Sequence, residues 1–318
     1  MLRGPLATPG FRGQFSGHET FPLRYGWLNK AFDAVVSAST TRNKNLFTRD
    51  EAIADFGVGK NMVAAIKHWA LASGMIEEVK GLFRPTDLGK LLMGASGLDP
   101  FLESPTSLWL IHWNIARNYA RATTWYWAFG HYSNLVFDQD KLIAEISHLV
   151  KEQNWKRISP TTIKRDVECF IKMYASNTRR SASEVTEDSL ESPLAELALI
   201  KPTGFRGSYQ FQRGPKPSLP DAVFVYALDQ FWSDYSKTAA TLSMEAIAYE
   251  AGSPGRLFKL DEEAVIDRLV RIDSASDGLF RWTDTAGLSQ VQRTGTRSAP
   301  TKILRRAYAS TKTFKRAA

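Results

Sequence analysis

The 318-residue chain has one cysteine, Cys169. One thiol forms no internal disulfide and no cysteine-rich zinc site, so a reducing cytoplasm is the expected compartment. Cys169 itself reads as a small core residue. No apolar run approaches the roughly 20 residues of a membrane helix, and no membrane partner is expected. Met1 to Gln14 holds five Gly or Pro and no apolar h-region. It reads as a flexible lead-in and not as a secretory signal. Long alternating apolar runs and a βαβ rhythm are absent, which disfavours a sheet-dominated fold.

Several reaction signatures are also missing. The chain has no His-Asn-His metal finger. Pro220-Asp221 is not followed by the acid-x-Lys that a nuclease sheet presents, and Glu78-Val79-Lys80 falls on an expected hairpin. Gly57 to Lys60 lacks the first glycine of a phosphate loop, and Asn61 stands where Ser or Thr would hold magnesium.

What the chain has is ordinary globular composition, 43% hydrophobic and 23% charged, which excludes wholesale disorder. Its charge is placed unevenly. After Asp284 there is no acid, but eight cations: Arg293, Arg297, Lys302, Arg305, Arg306, Lys312, Lys315 and Arg316. The net charge of +8 therefore sits in the tail, a pattern that points to a polyanion such as nucleic acid.

Helical periodicity dominates the rest. Three times a helix, a tight turn and a second helix precede a short strand pair, the order of a winged helix. In the first copy Thr48-Arg49-Asp50-Glu51 has the form of a capping box. Gly57-Val58-Gly59 is the turn, and a helix from about Lys60 to Ser73 carries Met62, Ile66 and Trp69 on one face. Gly74 closes it, Lys80-Gly81 turns a hairpin, and Thr86 caps a helix through Met93. Lys60, Asn61, Lys67 and Arg84 are the expected DNA contacts of this copy.

In the second copy Asp138 to Lys151 is an amphipathic helix, and Ser159-Pro160 starts the next one cleanly. Thr161 to Val167 resembles the recognition helix of sugar-responsive bacterial repressors, which implies DNA contacts by Thr162, Lys164 and Arg165. Residues 176–192 read as a mobile connector. A Gly-rich hairpin from Lys201 to Gly214 adds Arg206 and Arg213. The third copy combines helices at Pro220 to Tyr235, Ser243 to Ala251 and Asp261 to Arg271 with a wing around Gly287. Asp261, Glu262 and Glu263 cap its second helix but repel phosphate, so this copy reads as structural. Only the tail beyond it, with Arg293, Arg297, Arg305 and Arg306, is expected on nucleic acid.

Phe15 to Leu28 is the most unusual segment, packing His18, Glu19, Arg24 and Tyr25 among apolar anchors. His18 is the candidate general base or metal ligand, Glu19 its partner and Arg24 an anion clamp. The competing reading is a buried strap whose polar groups satisfy one another. Trp109, His112, Trp113, Tyr119, Trp125, Tyr126, Trp127, Phe129, His131 and Tyr132 form an aromatic belt. The four-residue spacing of Trp109 and Trp113 points to a helix core, whereas Trp125 and Trp127 are left open between core and base stacking.

Phe15 to Leu28, with Lys30-Ala31-Phe32, resembles the opening signature of the bacterial family of domains of unknown function numbered 4007. Gly57 to Val63, Ile66-Lys67-His68-Trp69 and Arg84 to Gly89 fit the same family. The likeness covers nearly the whole chain after residue 14. It implies a component of a DNA phosphorothioation and antiphage defence system, with DNA nicking as its activity. Mg²⁺ or another divalent cation is the cofactor such chemistry implies. No catalytic residue is carried over.

The sequence thus leads to a mainly α chain of tandem winged-helix units: a lead-in over 1–14, then units at 15–97, 98–216 and 217–318. Its expected role is a DNA-binding subunit that nicks DNA, with His18 and Glu19 as the candidate catalytic pair. Expected partners are DNA, a sulfur-transfer enzyme and an ATPase, and a homodimer is left open. The alternatives are a winged-helix transcriptional regulator without catalysis and a scaffold that recruits the sulfur-transfer enzyme.

Overall fold

Capping residues and the apolar period set the helices of the computed structural model, which describes residues 2–175, 192–285, 287–294 and 300–315. The first unit comprises α1 (Trp27–Ser37), α2 (Thr40–Asn43), α3 (Ala52–Phe56), α4 (Lys60–Ala72), the hairpin β1 (Ile76–Val79) and β2 (Leu82–Pro85), and α5 (Asp87–Met93). Val63, Ile66 and Trp69 bury one face of α4, which packs on α1. Thr86 accepts from Gly89 N at 2.9 Å and caps α5. A Cβ on Gly89 would lie 2.0 Å from Met75 O, so only glycine lets α5 approach the hairpin this closely. The expected capping box does not form. Thr48 Oγ1 lies 3.5 Å from Asn45 O, and Glu51 precedes α3 without a side-chain cap, because the chain around residues 45–51 is already turned.

Two helices follow, α6 (Pro105–Arg117) and α7 (Thr123–Gly130). All eight residues of α7 are buried, as are residues 106–116 of α6. Such a helix pair is a core element and not a surface one. Trp109, Trp113, Trp125 and Trp127 are all buried, which resolves the aromatic belt as packing.

The second unit contains β3 (Val136–Asp138), α8 (Gln139–Glu152), α9 (Pro160–Tyr174), β4 (Ile200–Pro202) and β5 (Ser208–Phe211). Its sheet has the order β3-β5-β4, all antiparallel. Ser159 accepts from Thr162 N at 3.1 Å and starts α9 as its sequence required. The third unit repeats the order with α10 (Asp221–Tyr235), β6 (Thr241–Ser243), α11 (Met244–Tyr249), α12 (Pro254–Leu257), α13 (Glu262–Val270), α14 (Ile272–Ala275), β7 (Phe280–Thr285) and β8 (Leu288–Arg293). Its sheet runs β6-β8-β7, and Asp261 caps α13 through Ala264 N at 3.0 Å. The chain is mainly helical, with small antiparallel sheets.

Both chain ends differ from expectation. The lead-in is packed: Leu6 is fully buried, Phe11 meets Tyr119 and Trp155 edge-on, and Gln14 N donates to Thr123 Oγ1 at 2.7 Å. The basic tail forms α15 (Pro300–Lys315) and packs on α10. Ile303, Leu304 and Tyr308 face inward, with Tyr308 Oη 2.7 Å from Ser107 Oγ. The expected connector at residues 176–192 lies almost wholly outside the described residues. Among the described residues no helix is long and apolar enough to cross a membrane.

Candidate functional site

The strap at residues 15–28 folds around Gly17, whose φ of +107° favours glycine. A Cβ there would lie 2.7 Å from His68 Nδ1, so the missing side chain lets the strap settle on α4. Glu19 and Thr20 follow with φ of 48° and 72°, a tight reversal that sends Glu19 outward and His18 inward. His18 is 3% exposed. Its ring stacks on Trp69 at 5.8 Å and 15°, and meets His68 and Trp125 edge-on.

His18 Nε2 lies 2.7 Å from Asp166 Oδ1 on α9, and Thr20 N donates to His18 Nδ1 at 3.1 Å. The Thr20 contact requires a lone pair on Nδ1, which puts the proton of the neutral ring on Nε2, facing Asp166. Burial opposes a charge on His18, Cys169 and Asp166 favour it, and the net direction of its pKa is upward. Burial raises the Cys169 pKa, so at neutral pH the neighbour is a thiol and Asp166 is the charge that matters. A second ring proton must therefore displace the Thr20 contact. His68 beside it is pushed down to about 3, first by burial and then by His18.

The partner of His18 is thus Asp166 and not Glu19. Asp166 was missed because it sits within a run read as a DNA-facing helix start. The available signal was spacing: Asp166 falls three residues from Ile163 and four from Phe170, inside the buried stripe of α9. Asp166 Oδ2 and His68 Nε2 are buried without a hydrogen-bond partner. Imidazole, thiol and one carboxylate are not the oxygen set that magnesium selects. The residues around His18 therefore do not fit a magnesium site, and among the described residues no three His, Cys, Asp or Glu side chains converge as metal ligands.

A second buried polar group ties the middle of the molecule. His112 is held between Tyr174 Oη and Leu257 O, each at 2.8 Å, and burial lowers its pKa to about 3. Lys259 Nζ donates to Phe129 O at 3.0 Å and lies 4.2 Å from the Phe211 ring centroid, with its pKa driven well down by burial.

The expected DNA contacts separate into three groups. Arg24 is buried against Phe21 and Trp27, at 5.5 and 5.4 Å from their ring centroids, and so is not at the surface. Arg293 reaches inward, donating to Asp229 Oδ1 at 2.9 Å with its guanidinium over Trp232. Arg306 pairs with Asp277, and Lys67 is half-buried with Nζ over Phe83. These four are engaged by the fold. Lys60, Asn61, Arg84, Lys164, Arg165, Arg206, Arg213 and Arg305 are exposed, Thr162 is half-buried, and Arg297 lies outside the described residues. Arg84 stands opposite the acidic Glu77 in the first hairpin. Around α9 the exposed cations Lys156, Arg157, Lys164, Arg165, Lys201 and Arg206 outnumber the exposed acids Asp138, Asp140, Glu152 and Glu196.

This geometry defines a mainly helical protein with small antiparallel sheets, with His18, His68 and His112 buried and exposed cations around α9. The chain belongs to the DUF4007 family, "Protein of unknown function (DUF4007)", whose model matches residues 15–308. Two solved structures are similar over most of the chain, "Magnesium ion-bound SspB crystal structure" and "SspB crystal structure". Each has a TM-score of 0.80 and 29% identity, covering 94% of this chain and 87% of the other. None of the curated proteins matches the chain.

Proposed function

We propose that the chain is a DNA-binding component of a phosphorothioation system and that its central unit forms the duplex interface. We read all three units as winged helices. The strand orders β3-β5-β4 and β6-β8-β7, with two α-helices between β3 and its hairpin and four between β6 and its hairpin, support this reading. The observation that carries the DNA assignment is the contrast among the units. Glu77 and Glu78 lie on the first hairpin, and Asp261, Glu262 and Glu263 open α13. Around α9 exposed cations dominate, and its capped N-terminus adds a favourable dipole for phosphate. The family resemblance and the likeness to SspB support the phosphorothioation setting, in which a sulfur-transfer enzyme and an ATPase would be partners.

The reading ends at binding. His18 and Asp166 are buried, Glu19 points away from them, and the described residues offer no magnesium cluster. DNA nicking is therefore not assigned to this pair.

The test is fluorescence anisotropy with a labelled duplex, comparing the full chain with Lys164→Glu/Arg165→Glu. Two reversed charges should weaken binding by roughly 1–3 kcal/mol each and flatten the salt dependence. Wild-type affinity in the variant overturns the interface. Relaxation of supercoiled plasmid by the same preparation with Mg²⁺ would show that the chain also cuts.

A further inference from the structure

Beside α9, the β4–β5 hairpin ends in Gly204-Phe205-Arg206-Gly207. Phe205 is 81% exposed, more than any other large hydrophobic side chain among the described residues. A single exposed apolar residue is ordinary, but this one is held in place. Thr203 N donates to Ser208 O at 2.9 Å, and Thr203 Oγ1 donates to the same oxygen at 3.2 Å. Phe205 N donates to Thr203 Oγ1 at 3.4 Å, and Ser208 N donates to Phe205 O at 3.2 Å. Gly207, at φ +76°, closes the turn. A fixed turn thus presents an aromatic ring to solvent.

Its surroundings say what the ring faces. From Leu199 to Pro217 the chain has no acid, and its exposed cations are Lys201, Arg206 and Arg213. Arg206, next to Phe205, is exposed, and β4 packs against α9 with its exposed Lys164 and Arg165. Exposed cations outnumber exposed acids around the ring: Lys201, Arg206, Lys164 and Arg165 against Asp138, which pairs with Ser208, and Asp140. An apolar wedge flanked by arginine suits the minor groove, where such a ring enters between base steps and kinks the duplex.

Resting on the DNA interface above, we infer that Phe205 is a wedge that inserts between base pairs from the minor groove, with Arg206 beside it, and bends the DNA that α9 holds. Flexible pyrimidine–purine steps, TA and CA, are where the bend forms with least resistance.

The experiment uses a 40-base-pair duplex with central TA and CA steps, carrying a donor and an acceptor dye at its two ends. Energy transfer reads the bend, and anisotropy on the same samples reads binding. The full chain should shorten the end-to-end distance. Phe205→Ala should bind within about tenfold of wild type but leave the duplex straight, and Phe205→Trp should restore the bend. Phe205 makes no core contact, so melting curves of the variants should match wild type. Bending by Phe205→Ala equal to wild type overturns the wedge, as does a wild-type protein that binds without bending; both leave the α9 interface standing. A wild-type protein that binds no duplex overturns the wedge and the interface together.

Discussion

His18 Nε2 and Asp166 Oδ1 are 2.7 Å apart although 148 positions separate them in the chain. The contact ties the strap ahead of α1 to α9 in the next unit, and both residues are buried. Its function in the fold is to position the strap. His18→Ala should cost about 1–3 kcal/mol of stability, because a buried carboxylate loses its donor. Urea denaturation measures the loss, and DNA affinity should fall only with the folded fraction. A stable variant with weakened DNA binding would refute the structural role.

Buried neutral histidines set the acid limit of the fold. Burial pushes His68 and His112 down to about 3 and His131 to about 4, whereas an unfolded histidine titrates near 6.5. Between those values the unfolded state binds protons that the native state does not, so stability falls as pH falls below about 6.5. Each group contributes a slope of about 1.4 kcal/mol per pH unit in that window. His18 shifts the other way, so its contribution is present below its unfolded value and declines only as pH rises through its native one. Unfolding curves at pH 7, 6 and 5 should show the loss, and a flat profile over that range would contradict the buried neutral rings.

Gly17 and Gly89 tolerate no side chain. Gly17→Ala meets both a positive φ and the His68 ring, and should destabilise by about 1–3 kcal/mol. Gly89→Ala meets the backbone at Met75 O, which cannot move aside like a side chain, and should cost more than Gly17→Ala. Paired thermal melts give the order, and a reversed order would show that the strap is the less yielding of the two contacts.

Arg293 is half-buried and paired with Asp229, which predicts a structural role. Asp229 is almost fully buried, and removing the guanidinium beside it should cost about 3 kcal/mol. Arg293→Ala should therefore lower the melting temperature while leaving the salt slope of DNA binding unchanged. A flattened slope at full stability would return Arg293 to the phosphate contacts.

The aromatic periodicity of α6, the caps Thr86, Ser159 and Asp261, and the hairpin glycines were all legible because each acts within a few residues. Local hydrogen bonds and the 3.6-residue period are written into short stretches of sequence. The likeness of residues 15–28 to a family signature was legible too, but not the reason for it. Gly17 matters through His68 on α4, and no local pattern shows that approach.

The hydrophobic period determined a mainly helical chain, and the single cysteine excluded an internal disulfide; Lys164, Arg165 and Arg206, read from sequence as DNA contacts, are exposed. The cations of the tail were legible in the same way, but not that Ile303, Leu304 and Tyr308 bury one face of α15 against α10. Only the tertiary structure decided which polar residues turn inward. Asp166, Arg24 and Arg293 look like surface groups in sequence, and each is drawn inward by a partner supplied from elsewhere: His18 for the first, the Phe21 and Trp27 rings for the second, Asp229 for the third. A charge is retained inside a protein only where such a partner offsets its lost hydration. That pairing depends on distances in space, which residue order alone does not encode.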